Sequence, residues 1–149
     1  MSETVAGARY VVGFLFDKTE TRVLLINKTR PEWQAGKLNG IGGRVEDGET
    51  PDEAMRREFV EEVGIDCKSW KYFCTLSDER DWQIDFFYST GDVWSADTLT
   101  DEVPQVCAVH ALTSKVIPNL RWLIPMALSM KHERIDYFEV QEKQRAKVE

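Results

Sequence analysis

The sequence predicts a mixed α/β fold in a single domain, and three observations carry that expectation. Short runs rich in β-branched and aromatic residues recur along the chain, segment 51–63 has the full set of signals for an amphipathic helix, and a second helical pattern arrives late, at 119–131. A length of 149 residues matches one domain, given about 100–200 residues for each. With 42% hydrophobic and 11% aromatic residues, disorder across the chain is excluded.

Taken in order, residues 8–17 (ARYVVGFLFD) and 22–27 (RVLLIN) are β-rich runs, and the polar turn Lys18-Thr19-Glu20-Thr21 between them predicts a hairpin. Segment 28–43 holds Pro31 and the glycines Gly36, Gly40, Gly42 and Gly43, so it reads as a loop with a brief extended piece from Leu38 to Ile41. Thr50 is placed as an N-cap, Pro51 at the first helical position, Glu53 to complete a capping box, and Gly64 just past the end of a helix over 51–63. Strands are expected at 69–76, 82–89 and 104–112, separated by polar segments. After Pro118, Leu120, Leu123, Ile124, Ala127 and Leu128 recur at helical spacing, with Pro125 marking a kink or a later start. A short strand at 137–140 then precedes QEKQRAKVE, and residues 1–7 and 141–149 are expected to be solvated ends of a domain spanning 1–149.

Composition excludes several function classes. The longest apolar stretch, Tyr10–Phe16, has seven residues, far short of the ~20 that span a bilayer. The start MSETVAGARY has neither a basic opening nor an apolar core, so no secretory signal is expected. Cys67, Cys74 and Cys107 form no C-x-x-C pair, which argues against a disulfide framework and a zinc site, and a cytoplasmic location is expected. Nineteen basic residues against 26 acidic ones leave a net charge of −7, the wrong sign for binding a nucleic-acid polymer. Clustered carboxylates can nevertheless hold divalent cations that in turn hold phosphate, so a small phosphorylated ligand is the expected partner, with neither nucleic acid nor membrane.

Within 51–63, Met55, Phe59 and Val63 make an apolar stripe, while Glu58, Glu61 and Glu62 share about 100° of arc on the neighbouring face. Glu58 and Glu62 at (i, i+4) repel by roughly 0.2–0.5 kcal/mol on an exposed helix, a cost that a bound cation reverses. By themselves the three glutamates read either as a metal platform or as a solvated acidic face.

Their context narrows the choice. From Gly43 the chain runs Gly43, Glu49, Arg57, Glu58, Phe59, Glu61, Glu62, Gly64, Ile65, the spacing Gly-x5-Glu-x7-Arg-Glu-U-x-Glu-Glu-x-Gly-U with U apolar. This resembles the Nudix box at all nine specified positions, the mild departure being aromatic Phe59 where an aliphatic residue is commoner. The flanking strand-loop-helix pattern is also similar to that family's α/β/α sandwich with a mixed central sheet. The resemblance implies a hydrolase that cleaves a diphosphate linked to another moiety, using Mg²⁺ or Mn²⁺. It implies Glu58, Glu61 and Glu62 as metal ligands, with the carbonyl of Gly42 adding one across a tight Gly42-Gly43 turn. It further implies Arg57 and Glu49 as an ion pair fixing the loop against the helix. Family members take the general base either from the box helix or from a later loop; Glu102, in the acidic TDE stretch, is the loop candidate, and an ordinary solvated charge is the other reading. The mechanism needs neither His110, expected on a strand, nor His132.

For the substrate, GKLNGIGGRVEDGE resembles the entry segment of members that remove oxidised purine nucleotides. Asn39 stands where some of them contact the base, and it also reads as a turn residue before Gly40. PNLRWLIP at 118–125 resembles their last helix, whose opening carries base-reading residues; Asn119 fits that role, whereas Ile117 and Leu120 stand where some members have an aromatic or acidic residue. Trp33 is a candidate for base stacking or for packing on the domain, Trp82 reads as core, and Lys28, Arg30 and Lys37 are candidates for phosphate contacts. The proline that follows the box in ADP-ribose hydrolases is absent, since none occurs between Pro51 and Pro104. The expected reaction is hydrolysis of a nucleoside triphosphate to monophosphate and pyrophosphate. The alternatives are a dinucleoside polyphosphate or nucleotide-sugar hydrolase, and a non-catalytic nucleotide sensor, against which the intact glutamate set argues.

Overall fold

Alternation along the first strand divides the molecule into two cores. The computed structural model describes residues 7–143, and its elements are β1 (Ala8–Phe16), β2 (Arg22–Asn27), β3 (Leu38–Asn39), β4 (Ile41–Arg44), α1 (Pro51–Val63), β5 (Lys71–Ser77), β6 (Trp82–Thr90), β7 (Pro104–Ala108), α2 (Leu120–Ser129) and β8 (Phe138–Gln141). Side chains two apart on a strand share a face. Val11 and Leu15 of β1 accordingly join Leu24 and Ile26 of β2 beneath Ala54, Met55, Phe59 and Val63 of α1. Phe14 and Phe16 join Val23 and Leu25 on the opposite face, under Leu120, Leu123, Ile124 and Ala127 of α2. The result is the expected α/β/α sandwich.

The sheet is mixed. Its order is β3-β2-β1-β6-β5-β8, with β4 also beside β1 and β7 also beside β2. Strands β1 and β6 run parallel in unbroken register from Ala8↔Trp82 to Phe16↔Thr90, and β5 pairs β8 in parallel, while the remaining ladders are antiparallel. The other edge of β1 is shared, with β4 along Tyr10–Gly13 and β2 at Leu15–Phe16. That division brings the glycine-rich strand β4 directly under α1.

Helix α1 occupies the expected residues. Thr50 and Glu53 exchange both hydrogen bonds of the capping box, and Gly64 closes the helix with a left-handed φ of 74°. Met55, Phe59 and Val63 are fully buried, each worth about 1.5–3 kcal/mol relative to exposure. Phe59 also packs on Trp70 with ring centroids 4.6 Å apart.

Several boundaries differ from expectation. Ile41–Arg44 is a strand and not loop, because Gly42 and Gly43 pair with Val12 and Val11; neither has a positive φ, so the expected Gly42-Gly43 turn is extended backbone. Strand β5 lies one to two residues later than expected, and β7 ends at Ala108, which leaves His110 exposed in a turn. Helix α2 is shorter by one residue at the start and two at the end, and it tolerates Pro125 on its exposed face, where water can satisfy the freed carbonyl. Gln141, expected in the tail, belongs to β8 and pairs with Ser77. Residues 1–6 and 144–149, expected as solvated ends, lie outside the described residues. No described helix is long and apolar enough to cross a membrane.

Candidate active site

The box helix α1 presents its glutamates on the side facing β4 and the loop that follows it. Arg57 organises this patch. Its Nε and Nη2 donate to the two oxygens of Glu49 at 2.7 and 2.9 Å, Nη2 also donates to the carbonyl of Arg44 at 3.0 Å, and Nη1 donates to Glu58 at 2.9 Å and Glu61 at 3.2 Å. One guanidinium therefore ties the 44–49 loop to the helix and holds two box carboxylates together. The hydrogen bond to Glu49 holds the Arg57 guanidinium firmly protonated, and the same bond keeps the Glu49 carboxyl below its ordinary range.

Glu58 is the enclosed member of the set. Its side chain retains 12% exposure, and it lies against Gly43, where a Cβ would run into the carboxylate. At Gly42 a Cβ would meet the carbonyl oxygen of Val11. The two glycines thus serve close approach and not a turn. Burial raises the Glu58 pKa; Arg57 opposes the rise, and the charges of Glu61 and Glu62 add to it. Glu61 is 58% exposed, and Glu62 accepts a hydrogen bond from Thr100 Oγ1 at 2.9 Å.

Thr100 begins a second charged region, the loop before β7. Glu102 there is 5% exposed, so the solvated-charge reading does not hold. One oxygen accepts from Lys28 Nζ at 2.9 Å; the other accepts from the backbone N–H of Thr29 at 2.7 Å and from its hydroxyl at 3.3 Å. Burial alone would raise the Glu102 pKa, but the Thr29 N–H and the Lys28 ammonium outweigh it and hold the carboxyl below its usual range. Arg30 pairs with Asp101 at 2.8 Å on the surface, and Lys37 is exposed. Of the three expected phosphate contacts, two are therefore engaged by acidic loop residues.

The residues expected to read a base fall on two faces of the sheet: Asn119 opens α2, whereas Asn39 pairs with Ile26 of the core beneath α1. Val116 bridges Leu38 of β3, and Ile117 N–H donates to the Leu38 carbonyl at 2.9 Å, which brings the start of α2 beside β3. Asn39 is engaged internally: its Nδ2 donates to Gln34 at 3.0 Å and its Oδ1 accepts from Gly40 N–H at 2.8 Å. Asn119 occupies the N-cap of α2 without capping it, and its buried Oδ1 has no partner among the described residues. Ile117 and Leu120 are core residues, Trp33 is 62% exposed, and Trp82 packs against the α2-side core.

A NUDIX domain model matches residues 7–139. The chain belongs to the Nudix family. Its fold is similar to that of a MutT NUDIX hydrolase from Burkholderia pseudomallei, with a TM-score of 0.69 at 19% identity over 80% of this chain and 97% of that one. It is also similar to the MutT protein of Methanosarcina mazei, with a TM-score of 0.67 at 18% identity over 89% and 100% of the two chains. In sequence it is 54% identical over 44 residues to the oxidized purine nucleoside triphosphate hydrolase of Danio rerio, covering 30% of this chain and 28% of that protein. The 8-oxo-dGTP diphosphatase of Proteus vulgaris is 51% identical over 66 residues, 44% of this chain and 54% of that protein. The chain thus spans about a quarter to a half of the length of the curated relatives it matches.

Nudix hydrolases generally use divalent metals, and this member's box offers the right donor chemistry. Its carboxylates and the β4 carbonyls are hard oxygen donors suited to Mg²⁺ or Mn²⁺, and the missing side chain of Gly43 is what lets the Glu58 carboxylate lie against β4. Among the described residues, no three His, Cys, Asp or Glu side chains are gathered closely enough to hold an ion as they stand. Arg57 donates to Glu58 and Glu61, and Thr100 donates to Glu62. Two residues at the site escaped sequence reasoning, Thr100 and Gln34. Thr100 acts through a hydrogen bond across 38 residues, and Gln34 through one to Asn39 five residues on that follows no helix or strand period.

Proposed function

We propose that this protein is a Mg²⁺-dependent pyrophosphohydrolase, with Mn²⁺ as a substitute, that cleaves a nucleoside triphosphate of the modified-purine class to monophosphate and pyrophosphate. The observation that carries the reading is the α1 patch, where Glu58 seats on Gly43 and Arg57 joins it to Glu61 beside Glu62. In this reading Glu58, Glu61, Glu62 and the carbonyl of Gly42 hold the cation. A bound divalent cation supplies neutralisation of phosphate charge and acidification of water. Arg57 and Glu49 keep the carboxylates oriented, and the proton is accepted within the helix patch. Glu102 is an anchor here, because Lys28 and Thr29 occupy both of its oxygens. Arg30 and Lys37, on the exposed rim, meet the phosphate tail, and Lys28 adds its charge from behind.

The nucleotide part of the proposal leans on Asn119. Its amide pairs a donor with an acceptor, the complement of a purine edge, and stands at the opening of α2. Asn39, already engaged by Gln34 and Gly40, contributes less to reading the base, and exposed Trp33 offers a stacking face. The test is a panel of ordinary and modified nucleotides with Mg²⁺, reading pyrophosphate and phosphate separately. Asn119→Ala should reorder the purine substrates by roughly tenfold or more while sparing turnover of the poorest; Asn39→Ala should reorder them less. If Asn119→Ala scales every substrate by one factor, the purine-reading role fails. Cleavage of dinucleotides alone would replace the triphosphate substrate.

A further inference from the structure

The carboxylates of the α1 patch are not held alike. Arg57 orients Glu58 and Glu61, but Glu62 pairs with no cation among the described residues, and the donor to its carboxylate is the hydroxyl of Thr100 at 2.9 Å, 38 residues away in sequence. A hydroxyl has one proton and two acceptor lone pairs. One lone pair of Thr100 Oγ1 accepts the backbone N–H of Glu102 at 3.1 Å, which leaves the proton directed at Glu62.

The support behind Thr100 is itself fixed. Glu102 is locked to Lys28 and Thr29, and the next residue, Val103, accepts from the Asn27 N–H at 2.8 Å and from Asn27 Nδ2 at 2.9 Å. The loop before β7 is thereby bound to the end of β2, and it offers the Thr100 hydroxyl to α1 from a rigid base. Glu62 would otherwise be a half-buried glutamate repelled by its two box neighbours.

We propose that Thr100 is a positioning residue for the divalent-cation site: its hydroxyl holds the Glu62 carboxylate in place for the ion and couples the helix patch to the Glu102 loop. The inference rests on reading the α1 patch as a cation site. Groups that orient metal-binding side chains typically change affinity by 10–100-fold when removed.

The experiment is a Mn²⁺ titration of the full chain without nucleotide, following the free-ion EPR signal, alongside melting temperatures in EDTA. T100V should weaken Mn²⁺ binding by about tenfold or more, T100S should stay within about threefold of wild type, and the EDTA melting temperatures should agree within about 4 °C. Should T100V not fold, T100A removes the same hydroxyl and carries the same readout. Unchanged affinity in T100V, or T100S binding as weakly as T100V, overturns the proposal. So does a loss of binding that accompanies a large fall in the EDTA melting temperature of both T100V and T100A, because Thr100 is then a residue of the fold. Wild type with normal Mn²⁺ affinity separates these failures from failure of the site reading, in which wild type itself takes up no stoichiometric Mn²⁺ and both ideas fall.

Discussion

Two enclosed glutamates, Glu58 on α1 and Glu102 in the loop before β7, are driven in opposite directions by their surroundings. Glu102 is 5% exposed, yet its pKa falls, because the Thr29 N–H and the Lys28 ammonium are aimed at its two oxygens. The Glu58 pKa rises, because its burial is countered only by a guanidinium shared with Glu49 and Glu61, and like charges stand beside it. Burial sets the cost of a charge, and the supply of donors decides whether the cost is met. The loop is built to be complete without a ligand. The helix patch holds negative charge that its own donors do not satisfy, which is the condition a cation site requires.

Removing charge from the patch should have the largest effect. Glu61→Gln and Glu62→Gln should each lower kcat by at least ~10²-fold while circular dichroism stays native, since on the proposed reading they remove cation-binding charge and no core packing. Near-normal turnover in both would erase the functional difference between patch and loop.

In the loop the expected effect is on stability. Glu102→Gln leaves Lys28 without its partner and should cost about 2–3 kcal/mol in urea unfolding at pH 7. A depressed folded pKa gives stability that is present above the ordinary carboxylate pKa and lost as pH falls through the lowered one. The gap between wild type and variant should therefore close in acid. A gap that is constant with pH would mean that the carboxylate charge is not what stabilises the loop.

The smallest effect has the opposite sign. With its pKa raised, ionised Glu58 costs the metal-free protein stability at pH values above that raised pKa, and the cost is gone below the ordinary carboxylate pKa. Glu58→Gln should thus raise the melting temperature in EDTA at neutral pH, by no more than about 4 °C, while it lowers activity. A variant that melts lower than wild type would show that Arg57 already satisfies Glu58.

This contrast was only half legible in the sequence. Helix α1 could be read to the residue, because its caps and apolar stripe are local signals, and the box spacing singled out the residues of the patch. Strand β4 was hidden because glycine marks turns and close approaches alike; its glycines give Glu58 and the Val11 carbonyl their space. The far end of β7 is hidden, since Val109, Ala111 and Leu112 continue its composition while the backbone turns at Val109. Neither the Lys28–Glu102 pair, 74 residues apart, nor the Thr100–Glu62 bond has any sequence period to announce it. Sequence alone therefore does not show that the Lys28 ammonium is paired with Glu102.

The central claim, that the α1 patch serves pyrophosphate release, is tested most directly by hydrolysis of the best triphosphate in ¹⁸O-labelled water with Mg²⁺, with mass spectrometry of both products. Attack at an inner phosphorus should place the label in monophosphate or pyrophosphate, and omission of the divalent ion should abolish turnover. Labelled orthophosphate appearing with nucleoside diphosphate, and no pyrophosphate, would contradict it.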